Sequence, residues 1–160
     1  MSRMDSQALK AELDIAEEIL QTATLERLAY DGLDGTPRVI PIGFLWTGDA
    51  VVVATHPTAP KVAALRSRPR VALTIDIGNP PLSLLLRGTA EIEIVDGVAP
   101  EYLQAAAKSM QGEELAAFAA NCRETYDQMA RISVAPDWAR YFDFNTGRFP
   151  DFLRALISEQ

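Results

Sequence analysis

Lys61 occupies a position in this 160-residue chain where a cation could take part in binding chemistry. It directly follows Pro60, and the flanking pattern predicts a helix over residues 59–68 with Thr58 as its N-cap. A lysine in the first turn is unusual, because the positive end of the helix dipole favours anions there. Free backbone N–H groups and the Lys61 ammonium together could hold a phosphate. The alternative is a solvated lysine on a short surface helix, and the local pattern leaves both interpretations open.

Two predicted strands precede this helix in the sequence. Residues 38–46 are apolar and rich in β-formers, and the turn sequence Thr47-Gly48-Asp49 follows them. Residues 50–55 then form an uninterrupted apolar run, which is typical of a strand buried on both faces. The pattern predicts an antiparallel hairpin, from which Arg38 would reach the same place as Lys61.

A resemblance to a known family rests on the order of these segments. The chain reads R-V-I-P-I-G-F, a hairpin turn, V-V-V-A-T, a short gap that contains a lysine, and a helix followed by R-P-R-V-A-L. In this order and spacing it resembles the pyridoxamine 5′-phosphate oxidase-like superfamily, most clearly over residues 19–90. The resemblance implies a split β-barrel, usually a homodimer, that binds flavin mononucleotide (FMN) or a related flavin. It also favours Lys61 as a phosphate ligand.

The resemblance implies flavin contacts from the first strand of the hairpin. Arg38 stands where the family has an arginine that contacts the FMN phosphate. The next three residues, Val39, Ile40 and Pro41, stand where backbone and side chains meet the ring system. Arg38 has a second interpretation, as a charge that keeps an edge strand soluble.

Two further positions match the family pattern, and a third departs from it. Thr55, at the end of its strand, matches a hydroxyl beside the phosphate and ribityl chain, although it could simply end the strand. Lys61 matches the phosphate-binding lysine at the start of the helix. Ser83 stands where many relatives have a glutamine that touches the ring from the neighbouring subunit, but serine is too short for the same contact.

Two departures separate this chain from the true pyridoxamine phosphate oxidases. Pro60 stands where those enzymes have an arginine before the lysine, and the chain ends R-F-P-D-F-L-R-A-L-I-S-E-Q in place of their W…R-L-x-P segment. We therefore expect that it does not oxidise pyridoxamine phosphate. No histidine follows His56, so the haem-handling branch, which uses a C-terminal histidine, does not fit either.

The sequence offers no other catalytic motif. It contains no Gly-rich phosphate loop and no G-x-S-x-G, and one histidine with one cysteine rules out the usual zinc clusters, so no metal is predicted. No acid–base set is evident, so no catalytic side chain is predicted, and a cofactor would supply the chemistry. The predicted function is an FMN-dependent oxidoreductase acting on a small-molecule substrate, with a deazaflavin as the alternative cofactor. Competing hypotheses are a non-enzymatic flavin-binding or stress-related protein and a relative that has lost its cofactor.

Composition limits the partners and the location. The net charge of −7 argues against a nucleic acid or an anionic membrane as the main partner, and the apolar runs are too short to span a membrane. Cys122 is the only cysteine and cannot form an internal disulfide, which favours a cytoplasmic location. A homodimer with the flavin at the subunit interface is expected, because the apolar run over residues 82–86 needs a cover.

The remaining pattern predicts one mostly β domain of the α+β class over residues 1–160, with residues 1–5 disordered. One face of an N-terminal amphipathic helix of about four turns is formed by Leu9, Leu13, Ala16 and Leu20. Further strands are predicted over residues 24–30, 71–77, 82–95, 131–135 and 138–144, with a bulge near Gly88. Further helices are predicted over residues 100–108, 113–130 and 150–157. The apolar stripe of the helix over 113–130, which includes Phe118, favours packing on the barrel over a cofactor site.

Overall fold

The computed structural model describes residues 3–159, in which six helices flank one sheet of seven strands. The strands are β1 (Leu25–Asp31), β2 (Pro37–Gly43), β3 (Leu45–Trp46), β4 (Val51–Thr55), β5 (Arg70–Ile77), β6 (Leu82–Asp96) and β7 (Gln128–Asp143). The helices are α1 (Ser6–Ile15), α2 (Glu17–Thr22), α3 (Pro60–Ser67), α4 (Pro100–Ala106), α5 (Gly112–Thr125) and α6 (Asp151–Ser158). None of these helices is both long and apolar enough to cross a membrane.

The sheet curls so that both of its edges reach the same helix. Its strand order is β2-β1-β5-β6-β7-β4-β3, with antiparallel pairing throughout. Helix α4 contacts β2 at one edge and both β4 and β3 at the other. The enclosed core contains fully buried side chains from across the sheet, among them Leu28, Leu73, Leu84 and Ile132. The fold is therefore the predicted split β-barrel of the α+β class.

A bulge bends the long ladder between β6 and β7. The register shifts between Arg87 and Gly88, and Gly88 pairs with Pro136. A Cβ atom on Gly88 would lie 2.7 Å from both the Ala135 carbonyl oxygen and Val134 Cγ1, so a larger residue does not fit. Pro136 has no N–H for a ladder, and the irregularity opposite it makes it tolerable within a long strand. The predicted bulge near Gly88 is confirmed.

Gly88→Ala is expected to destabilise the fold by about 1–3 kcal/mol, because the added methyl group overlaps strand backbone that has little room to move. Chemical denaturation of the variant and the wild type measures the change in the free energy of unfolding. Gly43→Ala is the matched control, since the atom nearest to its Cβ, the Thr24 carbonyl oxygen, would be 3.7 Å away. A Gly88 variant as stable as the wild type would contradict the steric argument.

Several predicted element boundaries need correction. The N-terminal helix is interrupted at Ala16, which follows α1 and precedes α2. The helix predicted over residues 113–130 ends at Thr125, because Met129 and Ala130 pair with β6 instead. The two strands predicted on either side of Pro136 are a single strand, β7. At the end of α5 and in the continuous strand β7, pairing with β6, which is distant in sequence, overrides the local pattern.

The chain before α1 is anchored at two points. The Met4 N–H donates to the Asp137 carbonyl oxygen at 3.2 Å, and the Asp5 carboxylate caps α1 by accepting a hydrogen bond from the Gln7 N–H at 3.2 Å. The sequence predicts disorder over residues 1–5, and two of these residues, Met1 and Ser2, lie outside the described part of the chain. The Met4 contact joins the start of the described chain to β7.

One carboxyl group lies inside the barrel core. Glu26 on β1 is 0% exposed, and neither of its side-chain oxygens has a hydrogen-bond partner among residues 3–159. Burial raises the pKa of Glu26 to about 8, although the Lys108 charge opposes this effect. Lys108 donates to the Ala23 carbonyl oxygen at 2.9 Å and lies 3.8 Å from the centre of the Phe44 ring. Burial lowers the pKa of Lys108 to about 8, so the two groups titrate in the same pH range.

Candidate functional site

Lys61 and Thr55 meet where β4 ends and α3 begins. The Lys61 ammonium donates to the Thr55 hydroxyl oxygen at 3.5 Å, and both residues are partly buried. No carboxylate oxygen lies within 4.0 Å of the Lys61 ammonium in the described part of the chain. Burial lowers the pKa of Lys61, as expected for a cation that has lost water and gained no counter-ion. The donor set, an ammonium and a hydroxyl, suits a phosphate group.

The start of α3 differs from the sequence prediction. Ala59, not Thr58, is the N-cap, and it makes no side-chain capping bond. The Thr58 hydroxyl lies 2.7 Å from His56 Nδ1, which is a closer partner than the helix backbone. Pro60 has no N–H, and the Val62 N–H donates to the Ala59 carbonyl oxygen at 2.9 Å. The positive charge at this end of α3 therefore comes mainly from the Lys61 side chain and less from free backbone N–H groups.

A cavity of about 500 Å³ opens beside Thr55. It lies between the ends of β2 and β4 and the helices α4 and α5, and its lining includes Thr55, Ile42, Tyr102, Phe118 and Tyr126. Its volume is in the range of small-molecule and cofactor pockets. The curled sheet creates it, because β2 and β4 are brought to the same helix without being hydrogen-bonded neighbours.

Three aromatic side chains form one wall of this cavity. The rings of Tyr102 and Phe118 stack with centroids 5.9 Å apart, and Tyr126 meets Tyr102 edge-on at 6.1 Å. Burial, together with the neighbouring Tyr126, raises the pKa of Tyr102 to about 12, so its hydroxyl keeps its proton at neutral pH. The sequence pattern of α5 predicts only that this helix packs on the barrel. It does not predict that Phe118 forms a cavity wall with Tyr102 and Tyr126. Helical spacing identifies the apolar stripe, but not the cavity that the stripe faces.

Arg38 lies on the edge strand β2, apart from the Lys61–Thr55 pair. Its guanidinium forms an ion pair with Asp34 at 3.0 Å and donates to the Thr36 carbonyl oxygen at 3.1 Å. Hydrogen bonds from Thr36, with help from Arg38, hold the pKa of Asp34 well below its usual range. Strand β2 pairs with β1 and not with β4, so the expected approach of Arg38 to Lys61 from an adjacent strand is wrong. Arg38 instead lines a separate cavity of about 310 Å³.

The other predicted contact residues lie on opposite faces of the sheet. Ile40 points inward and packs against the core, whereas Val39 is 66% exposed and Pro41 is also exposed. Ser83 on β6 pairs with Asp76 of β5, and the buried Leu84 that follows it faces the core, so Ser83 faces outward. Their role as flavin contacts stays a prediction.

A split β-barrel of the α+β class, with Lys61 and Thr55 where its fourth strand meets the following helix, is the class of protein that the structure defines. The chain belongs to the pyridoxamine 5′-phosphate oxidase family, whose model, described as "Pyridoxamine 5'-phosphate oxidase", matches residues 14–142. The family assignment made from the sequence is thereby confirmed.

Solved structures resemble the chain over most of its length. One described as an F420 reductase is 26% identical with a TM-score of 0.61, and the match covers 78% of this chain and 94% of that one. A conserved hypothetical protein, Rv2991, from Mycobacterium tuberculosis is 19% identical with a TM-score of 0.65, covering 92% and 91%. General stress protein 26 from Bacillus anthracis is 16% identical with a TM-score of 0.57, covering 81% and 92%. The last two likenesses concern the fold alone, and no protein of curated function matches the sequence.

Proposed function

We propose that this chain is an FMN-binding oxidoreductase of the pyridoxamine 5′-phosphate oxidase-like superfamily, and not a true pyridoxamine phosphate oxidase. The observation that carries the proposal is the Lys61 ammonium, 3.5 Å from the Thr55 hydroxyl oxygen and without a carboxylate partner in the described chain. This pair lies where β4 meets α3, and Thr55 also lines the cavity of about 500 Å³. A lysine suited to binding a phosphate is thus close to a cavity suited to binding a ring system, because Thr55 contacts the lysine and lines the cavity.

Side chains of the site divide between two tasks. Lys61 would bind the phosphate through a charge-assisted hydrogen bond, and Thr55, which accepts from Lys61, can donate its own hydroxyl proton to the same group. Tyr102, Phe118 and Tyr126 would cover the ring system and keep water away from it. A bound flavin supplies hydride transfer, and we assign no side chain of this chain to that step.

The test begins with the cofactor. Purified protein is titrated with FMN, and we expect saturable binding with a flavin absorbance band that stays with the protein through gel filtration. Oxidation of a nicotinamide donor is then measured with a panel of small acceptors. Turnover supports an enzyme, whereas tight binding without turnover supports a non-enzymatic flavin-binding protein. A chain that binds neither FMN nor a deazaflavin would contradict the proposal.

A deazaflavin is the second candidate cofactor, because the F420 reductase is 26% identical to this chain. F420 is a deazaflavin that also contains a phosphate group, so the Lys61–Thr55 pair does not separate the two candidates. A competition titration with FMN and F420 decides between them. Preferential binding of F420 would make the chain a deazaflavin-dependent reductase.

We further propose a homodimer with the flavin at the subunit interface. Leu84 and Leu86 are buried within the chain's own core, so the run over residues 82–86 is largely covered without a partner. The better argument is the outer face of β1 and β2, where Leu25 is 54% and Val39 66% exposed. By strand register both share a face with Ala29, and on this face Arg27, which pairs with Asp76, lies between Leu25 and Ala29, so the surface offered to a second subunit is apolar with one ion pair.

Val39→Glu is expected to weaken the dimer, because a charge would be buried without a partner in an apolar interface. Light scattering at micromolar concentration should give the dimer mass for the wild type and a larger monomer fraction for the variant. Leu33→Glu is the matched control: Leu33 is 61% exposed in the loop after β1 and should leave the mass unchanged. A monomeric wild type would remove the dimer and the shared flavin site.

A further inference from the structure

A basic cavity lies on the outer face of the sheet, away from the Lys61–Thr55 pair. Its volume is about 680 Å³, and strands β5, β6 and β7 and the segment before α1 supply its lining. We call it the arginine pocket, and its charged and aromatic residues are Arg3, Arg70, Arg87, Asp137, Trp138 and Arg140. The residues next to these along the strands, Val71, Leu86 and Ala139, are buried, so the pocket faces away from the barrel core.

Positive charge in the arginine pocket exceeds its negative charge. Asp137 is its one carboxylate, and Arg70 binds it through two hydrogen bonds of 2.5 and 3.2 Å. These bonds lower the pKa of Asp137 below its ordinary value, and the nearby Arg3 charge contributes to the same effect. In the described range 3–159, no carboxylate oxygen lies within 4.0 Å of Arg3, Arg87 or Arg140. Three guanidinium groups therefore line one cavity without an ion pair of their own in the described residues, in a chain whose net charge is −7.

Trp138 contacts two of these arginines. Arg87 is the register partner of Trp138, and its guanidinium carbon lies 4.0 Å from the centre of the indole ring. Arg140 approaches the same ring at 5.6 Å, so Trp138 lies within cation–π distance of both side chains. The register shift leaves Asp137 on β7 without a partner between Pro136 and Trp138, and Asp137 and Trp138 both line the pocket. The pocket is thus organised before any ligand arrives.

We propose that the arginine pocket binds a small, multiply charged oxyanion such as a diphosphate. Guanidinium forks match the oxygens of phosphate groups in geometry and in charge. This site goes beyond the proposed flavin function. Lys61 lies in the first turn of α3 and Arg70 begins β5 beyond its other end, and a helix of eight residues is about 12 Å long.

The experiment is a calorimetric titration of the purified chain with inorganic pyrophosphate at low ionic strength. We expect one saturable site per chain and a change in Trp138 fluorescence. Arg87→Gln and Arg140→Gln should each weaken binding by about tenfold or more, because each removes charge-assisted hydrogen bonds. Arg66→Gln, an exposed substitution in α3 with the same charge change and outside the pocket, should change affinity by less than about twofold. FMN affinity should be the same in all four proteins.

Three results would overturn the arginine pocket as a separate site. The first is a wild type without saturable pyrophosphate binding. The second is equal weakening by Arg66→Gln and the two pocket variants, which would indicate only the general charge of the surface. The third is loss of FMN affinity in Arg87→Gln or Arg140→Gln, which would make the pocket part of the flavin site. Pyrophosphate binding that persists in a chain without FMN affinity would contradict only the proposed flavin function.

Discussion

Lys61→Ala is expected to weaken FMN binding by about ten- to a hundred-fold and to leave riboflavin binding unchanged. One charge-assisted hydrogen bond contributes about 1.5–3 kcal/mol, and each 1.4 kcal/mol changes affinity by about tenfold. Riboflavin has no phosphate, so it does not use this bond. The side chain matters more than usual here, because Pro60 and the bonded Val62 N–H leave few free backbone amides at the start of α3.

Calorimetric titration of FMN and riboflavin into the wild type and the variant measures this effect. Lys10→Ala is the matched control, since it removes the same charge from an exposed position on α1, where Lys10 pairs with Asp14. Thr55→Val tests the second group of the pair and should weaken FMN in the same direction by a smaller factor. Equal FMN affinities in the wild type and Lys61→Ala would exclude Lys61 as the phosphate ligand.

Glu26→Gln is expected to raise the free energy of unfolding at pH 8 by on the order of 3 kcal/mol, because ionising Glu26 in the core is unfavourable. The amide keeps the shape of the side chain and removes the need to bury a charge. Denaturant unfolding of both proteins from pH 5 to pH 9 gives the difference. Glu91→Gln, on the exposed side of β6, is the control, because it makes the same substitution outside the core.

The direction of the pH dependence follows from the two pKa values. Below pH 4.5, the ordinary pKa of a glutamate, Glu26 is protonated in both states and its contribution to stability is complete. As the pH rises toward 8, only the unfolded chain has released this proton, so stability falls. From pH 8 to 10.5 the folded state loses the Lys108 proton first, so stability rises again. The wild type should show a stability minimum near pH 8, and a profile that is flat between pH 5 and 8 would contradict an ionisable Glu26 in the core.

Local patterns in the sequence predict much of the barrel. The turn at Thr47-Gly48-Asp49, the bulge near Gly88 and the last helix all come from neighbouring residues, and the structure contains each of them. Lys61 and Thr55 are close in the structure because only the short segment between β4 and α3 separates them, and their roles as flavin contacts stay predictions.

The failures concern residues that are distant in the chain. The Arg38 position depends on which strand β2 pairs with, and strand order is a property of the whole sheet. Glu26 looks like an ordinary polar residue in an alternating strand, and only the closure of the barrel buries it. The aromatic wall and the arginine pocket each combine segments from several parts of the sequence, which periodicity alone does not bring together.

The β6–β7 ladder has a consequence for how the chain folds. Even at the end nearest the connection, Asp96 and Gln128 are 32 residues apart in sequence, and α4 and α5 lie between them. Closing a loop of this size costs more chain entropy than closing either the β1–β2 or the β3–β4 hairpin. The longest ladder of the barrel therefore forms late. Because its contacts join residues that are distant in sequence, we expect folding to take milliseconds to seconds rather than microseconds. During synthesis this ladder cannot form until β7 has left the ribosome. Until then the edge of β6 is exposed and can pair with other chains, which is a risk of aggregation.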